Sequence, residues 1–161
     1  MKHLSLLLAA AFSLPALAAT APPITQLSPA SGSQVRGGVT LIDTADGLRV
    51  AGEITGLSPG AHGFHVHVRG NCSAPDASSA GDHYNPDAHP HGDPDPSRHH
   101  AGDLGNIEAD AQGRATVAVV VPGLTAADLK GRALVVHDKP DDLRTQPSGA
   151  SGDRIACGVI H

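Results

Sequence analysis

Two histidines separated by a single residue, in His65-Val66-His67, are where this chain first offers chemistry. On a strand, residues two apart share a face, so both imidazoles can grip one metal ion from a rigid base. Alone, H-x-H specifies little. Farther on, His83, His91, His100 and Asp103 lie in a stretch poor in apolar residues. Three imidazoles and a carboxylate form a complete tetrahedral set for zinc, with no position left open for water, which is the pattern of a structural site. Such an ion could order a loop that lacks the apolar residues to order itself. His137 ends the run Ala133-Leu134-Val135-Val136-His137 and could complete a nitrogen-rich site with His65 and His67, a donor set suited to copper.

The chain has 11 histidines. A solvated tract that binds metal loosely, or a scatter of unrelated surface histidines, would also produce such a count. Spacing and neighbours discriminate, and they depend on the elements that carry these residues. Short strand-like segments run over 34–43, 48–54, 62–68, 107–109, 114–121, 133–137 and 154–160, with turns at Ala45-Asp46-Gly47, Leu57-Ser58-Pro59-Gly60 and Asp110 to Gly113. On the third segment Phe64, Val66 and Val68 share one face and His65 and His67 the other. Residues 20–31 read as a loose arm. Residues 69–106 and 138–153 read as two long polar loops; a loop as long as the first is usually functional or disordered, and its histidine content argues for function. One helical turn is expected within 122–130, with Thr125 as N-cap. Seven or eight short strands with two long insertions read as an all-β antiparallel sandwich or barrel, in one domain without internal repeats.

The 161 residues are 40% apolar but only 2% aromatic, so the core must be built from Val, Ile, Leu and Ala; 19 Gly and 13 Pro supply the turns. A formal net charge of −5 without a basic stripe argues against nucleic acid as a partner. Lys2 and His3, the apolar run Leu4 to Leu14 and the small-x-small site Ala16-Leu17-Ala18 read as an export signal over 1–19, cut after Ala18 or Ala19. The run is too short for a bilayer span, and no later segment is apolar enough for one. A periplasmic or secreted location, with no membrane attachment after cleavage, is therefore expected for the domain at 20–161. In an exported protein the two cysteines, Cys72 and Cys157, are expected to pair, closing a loop of 85 residues.

With these segments in place, a family resemblance becomes specific. Gly63-Phe64-His65-Val66-His67 resembles the copper-binding strand of the copper,zinc superoxide dismutases. His83-Tyr84-Asn85-Pro86 is similar to the family's bridging-histidine motif. His91-Gly92-Asp93-Pro94 and His100-Ala101-Gly102-Asp103-Leu104-Gly105-Asn106 resemble its remaining zinc ligands. Leu134-Val135-Val136-His137-Asp138 resembles its last copper ligand, and Gly152 to Ile160 its C-terminal signature. The motifs follow in order along nearly all of the mature chain.

The resemblance implies an eight-stranded Greek-key barrel. It also implies one copper per chain on His65, His67, His83 and His137, and one zinc per chain on His83, His91, His100 and Asp103. His83 would then be shared as an imidazolate. Asp141 is implied to hydrogen-bond one copper histidine and one zinc histidine. The implied activity is dismutation of superoxide to O2 and hydrogen peroxide by a redox-cycling copper, with His83 passing a proton and Arg154 orienting the anion. His3, His62, His89, His99 and His161 fall outside the motif spacings and are expected not to ligate. Assembly stays open between monomer and homodimer, and a non-catalytic copper-binding or storage homologue is the alternative function.

Overall fold

The computed structural model describes residues 22–94 and 98–161. The expected export signal lies outside the described residues. Eight strands form one closed antiparallel barrel: β1 (Ile24–Pro29), β2 (Arg36–Thr44), β3 (Gly47–Thr55), β4 (Gly60–His67), β5 (Asp103–Ala109), β6 (Arg114–Val121), β7 (Ala133–His137) and β8 (Arg154–Val159). The order around the barrel is β1-β2-β3-β6-β5-β4-β7-β8. The connections from β3 to β4 and from β6 to β7 each leap over two strands, which is the Greek-key pattern. A single helical turn, α1 (Ala126–Leu129), precedes β7; Thr125 caps it reciprocally with Asp128.

Alternation decides what lies inside. Leu48, Val50, Ile54, Phe64, Val66, Val117, Leu134 and Val136 fill the interior and are essentially inaccessible. With so few aromatic residues, Phe64 is the largest side chain in this core. His65 and His67 on β4, Ala133, Val135 and His137 on β7 and Cys157 on β8 have the opposite, outward parity, yet they too are buried. Register pairs His65 with Val135, His67 with Ala133, and Val135 with Cys157. This outer face is covered by the long loop, whose Ala77 and Ala80 pack on Ala133, Val135 and Cys157.

Two expectations change. The segment expected to be a loose arm contains β1, which pairs with β2 and, through Ser28–Cys157 and Pro29–Ala156, with β8. Thr25 and Leu27 supply its inward face, and Ser and Pro nearby concealed that short alternation. Val68 does not continue the inward stripe of Phe64 and Val66. It leaves the ladder after His67, is 39% exposed, and its N–H donates to the Asp82 carbonyl (2.9 Å).

The long loop is stitched onto β4. Val66 N–H donates to Gly102, Gly102 to Tyr84, and Tyr84 back to Val66, each at 2.8 Å. A side chain at Gly102 would overlap the Val66 carbonyl, so only glycine permits this closure. Cys72 and Cys157 are disulfide-bonded, tying the loop to β8 across 85 residues.

Phe64→Ala is expected to lower unfolding stability by about 3–5 kcal/mol, measured by denaturant titration, because the barrel cannot collapse onto so large a void. Reducing Cys72–Cys157 in the metal-free protein is expected to cost about 4–5 kcal/mol, the chain-entropy value for a loop of this length. Melting temperatures indifferent to reductant would contradict it.

Candidate metal centre

Eight polar side chains that normally seek water are buried together: His65, His67, His83, His91, His100, His137, Asp103 and Asp141 are each 7% exposed or less. Three come directly from the outer face of the sheet. His65 and His67 share β4's outer parity, and a bulge between Val136 and His137 sets His137 opposite Arg154 of β8. Gly63 keeps this face open, since a Cβ there would come within 3.1 Å of the His65 ring and 2.8 Å of Ser151 Oγ. The long loop brings His83, His91 and His100, and Asp103 begins β5 opposite His65. His83 itself forms an isolated bridge with His67.

Hydrogen bonds on one side of each ring determine what the other side offers. His65 Nε2–H donates to Asp141 Oδ2 (2.8 Å), His67 Nδ1–H to the Gly81 carbonyl (2.7 Å) and His137 Nδ1–H to the Gly152 carbonyl (3.3 Å). Carboxylates and carbonyls only accept, so the protons sit there. The opposite nitrogens, His65 Nδ1, His67 Nε2 and His137 Nε2, are bare lone pairs, buried and without a hydrogen-bond partner; His83 Nε2 is likewise buried and unpartnered. The four ligand atoms of this group lie within 4.8 Å of one another.

His83 Nδ1 belongs to a second group. It is 2.8 Å from Asp103 Oδ1, which is also 3.0 Å from His91 Nδ1 and 3.3 Å from His100 Nδ1; His83 Nδ1 and His100 Nδ1 are 3.4 Å apart. The edges of a tetrahedron around zinc are roughly 3.3 Å for bonds of 2.0–2.1 Å. Asp103 Oδ2 is turned away and accepts from His100 N–H (2.9 Å) and Gly92 N–H (3.2 Å). The donor sets fit the implied ions: four imidazole nitrogens for copper, three imidazoles and a carboxylate for zinc.

Asp141 spans both groups. Its Oδ2 accepts from His65 and its Oδ1 from His91 Nε2–H (2.9 Å). Its backbone is clamped by Asn106, which donates to the Asp141 carbonyl (2.9 Å) and accepts from the Asp141 N–H (2.7 Å). A side chain at Gly149, whose φ is +66°, would overlap Asp141 and approach His91 Nε2 to 2.7 Å.

Protonation separates the two groups. Burial, outweighing all else, pushes His65 down to about 4, His67 to about 2 and His137 to about 3. Arg154 contributes to the fall at His67 and His137. Burial lowers His100 as well. At His91 burial also opposes the charge, but the hydrogen bonds to Asp103 and Asp141 win and raise it to about 9. For both aspartates burial works upward, and the imidazole hydrogen bonds prevail, holding each carboxyl well below the usual range.

A cleft of about 600 Å³ opens onto His67, His83 and His137, with Arg154, Tyr84 and Pro147 among its walls. Arg154 is half-buried there and donates through Nη1 to the Ala77 carbonyl (2.9 Å). Asp82 is a carboxylate on the same rim.

A model of the copper/zinc superoxide dismutase family matches residues 35–160. The chain belongs to that family. It is 35% identical, at a TM-score of 0.76, to the Cu/Zn superoxide dismutase from Brucella abortus, covering 86% of this chain and 99% of that one. A double mutant of a SOD-like protein from Bacillus subtilis is 38% identical at a TM-score of 0.76, covering 85% and 95%. Among curated proteins it is similar to the copper chaperone for superoxide dismutase of Rattus norvegicus, 46% identical over 117 residues, and to that of Homo sapiens, 42% over 123 residues. Those matches cover 69% and 73% of this chain but only 42% and 44% of the chaperones, so the chain spans about two fifths of the length of these relatives.

The seven residues implied as ligands therefore fall into two groups that share His83. Asp141 bridges one histidine of each set. Among the histidines expected not to ligate, His62 proves to be buried. Its Nδ1 lies 2.7 Å from the His137 carbonyl and its Nε2 2.9 Å from that of Ser58, which makes it a strut beneath a copper-side ligand. Its inward parity with Phe64 and Val66 was the available signal, because a polar side chain there needs internal partners. Asn106 stood inside a quoted motif without a role, and nothing local reveals that it clamps residue 141.

Zinc added alone to the metal-free protein must displace the proton on His91, so its affinity is expected to rise about tenfold per pH unit from near neutrality and level off above about 9. His65, His67 and His137 are already unprotonated at neutral pH and add no such slope for copper. Competition titrations with a chromophoric chelator across pH measure both; a flat zinc profile would contradict the assignment at His91.

Proposed function

We propose that this protein dismutates superoxide to O2 and hydrogen peroxide. The observation that carries the reading is the shared ring: His83 offers a bare Nε2 to one donor set and Nδ1 to the other, beside a cleft that also contains an arginine. Bound copper would supply a one-electron couple, so that two like-charged anions need never meet; zinc would hold His83 from its far side.

The chain's own residues have distinct tasks. Arg154 sits beside His137 through strand register, with Ala77 occupying one of its five N–H donors. The remainder can bind and orient a small anion in the cleft. His83 Nε2 is the place to hold the proton that the peroxide product needs, and Nδ1 stays anchored beside Asp103. His65, His67 and His137 keep their geometry because each has its second nitrogen fastened. The net charge is negative, so attraction must be local, and Asp82 works against it: its charge, like that of Asp76, acts on Arg154.

We further propose export through residues 1–19, with activity in the periplasm or outside the cell on extracytoplasmic superoxide. The family disulfide suits an oxidising compartment. A second reading, copper binding or delivery without turnover, is favoured by the similarity to copper chaperones. Metal-loaded protein that transfers copper yet consumes no superoxide would select it.

With copper content held equal, Arg154→Glu is expected to lower the second-order rate constant for superoxide by about ten- to a hundredfold. Asp82→Asn is expected to raise it about two- to fivefold at low ionic strength, the gain shrinking as salt screens the cleft. Pulse radiolysis or stopped-flow decay of superoxide measures both, and an unchanged rate for either variant removes that residue from the steering field.

A further inference from the structure

One side chain of the polar loop between β7 and β8 enters neither donor set, yet reaches a zinc-side ligand. Gln146 Oε1 accepts from the His91 N–H (2.8 Å), and Gln146 Nε2 donates to the His91 carbonyl (2.8 Å). The carboxamide copies a peptide group and pairs with His91 as a neighbouring strand would. Nε2 also donates to the Arg144 carbonyl (3.1 Å), which orients the amide from within its own loop.

That loop is closed on itself. Asp142 Oδ1 accepts from the N–H groups of Arg144 (2.9 Å) and Thr145 (2.8 Å). Gly149 N–H donates to the Thr145 carbonyl (2.7 Å), and Asp142 N–H donates to the Gly149 carbonyl (2.9 Å). At its base Asp141 accepts from the His91 ring (2.9 Å). One small ring of chain thus holds one ligand twice, at the imidazole by Asp141 and at the backbone by Gln146. The residues that follow Gln146, Pro147 and Ser148, form part of the cleft wall. The Ser148 carbonyl accepts from Ser151 Oγ (2.8 Å), beside Gly63 on the copper strand.

We propose that Gln146 is a positioning residue: it fixes the His91 backbone for zinc and, through the closed loop, ties the Pro147–Ser148 wall of the cleft to the zinc side. Asp141 alone leaves the ring free to pivot about its Nε2. The two backbone bonds remove that freedom and set the approach of Nδ1. The proposal rests on the two donor sets being a metal centre, and it is independent of whether the cleft consumes superoxide.

The test uses the full chain, stripped of metal and reloaded with zinc against a chromophoric chelator. Gln146→Ala is expected to weaken zinc about 10–100-fold, the usual effect of losing a partner that orients a ligand, and to leave copper affinity at the His65–His67–His137 side within about threefold. In the zinc-loaded variant, amide hydrogen exchange over 143–149 is expected to accelerate. Gln146→Met fills the same space without either bond and separates packing from hydrogen bonding. Gln146→Glu keeps an acceptor for the His91 N–H but sets a carboxylate against its carbonyl. Both are expected to fall with the alanine variant rather than with the parent. Zinc affinity within twofold of the parent, or a Met variant indistinguishable from it, would overturn the role. A parent protein that binds no zinc would instead sink the metal reading itself.

Discussion

Four buried imidazole nitrogens without a hydrogen-bond partner govern this molecule: His65 Nδ1, His67 Nε2, His83 Nε2 and His137 Nε2. A buried polar atom left unpaired costs on the order of 1–3 kcal/mol, and here four gather in one small volume. The second nitrogens of His65, His67 and His137 are fastened to a carboxylate or a carbonyl, so each ring turns its lone pair toward the same point. The arrangement makes energetic sense when cations occupy the points on which these lone pairs converge. Asp103 and Asp141 supply the negative charge that such cations require in a buried place.

The barrel meets that demand. A metal centre needs ligands that cannot drift, and a closed sheet supplies them. Phe64, Val66, Leu134 and Val136 lock the inward parity, so His65, His67 and His137 have no freedom to turn inward. The loops that carry His83, His91 and His100 have too little apolar surface to fold alone. They are secured by backbone bonds at Val66, by a disulfide to β8 and by side chains such as Gln146 that imitate peptide groups. The same fastening builds the cleft: the Gly81 carbonyl that orients His67 and the Ala77 carbonyl that holds Arg154 belong to the segment anchored by Cys72. Structural support and approach to the site are therefore one set of contacts.

Much of this was legible without coordinates. Period-two alternation disclosed most strands, since a half-buried strand must alternate. Ligand types and spacings disclosed the donor sets, since a motif such as His100-x-x-Asp103 is local. The beginning of the barrel was not legible, because β1 draws its stability from β2 and β8, and its own six residues carry only Thr25 and Leu27 as signal. Val68 was misjudged because a strand ends where its backbone partners end, and Asp82 takes its N–H away.

By itself the sequence determined an all-β chain, the residues able to bind metal, the pair of cysteines and the arginine on the last strand. Those are properties of side-chain type and short-range periodicity. That His83 is shared and that Asp141 joins the donor sets was implied only through the family resemblance; the tertiary structure supplied their geometry, and it alone decided that His62, Asn106 and Gln146 act as struts. Those facts depend on contacts between residues up to 76 apart, and a linear pattern carries no distance of that kind.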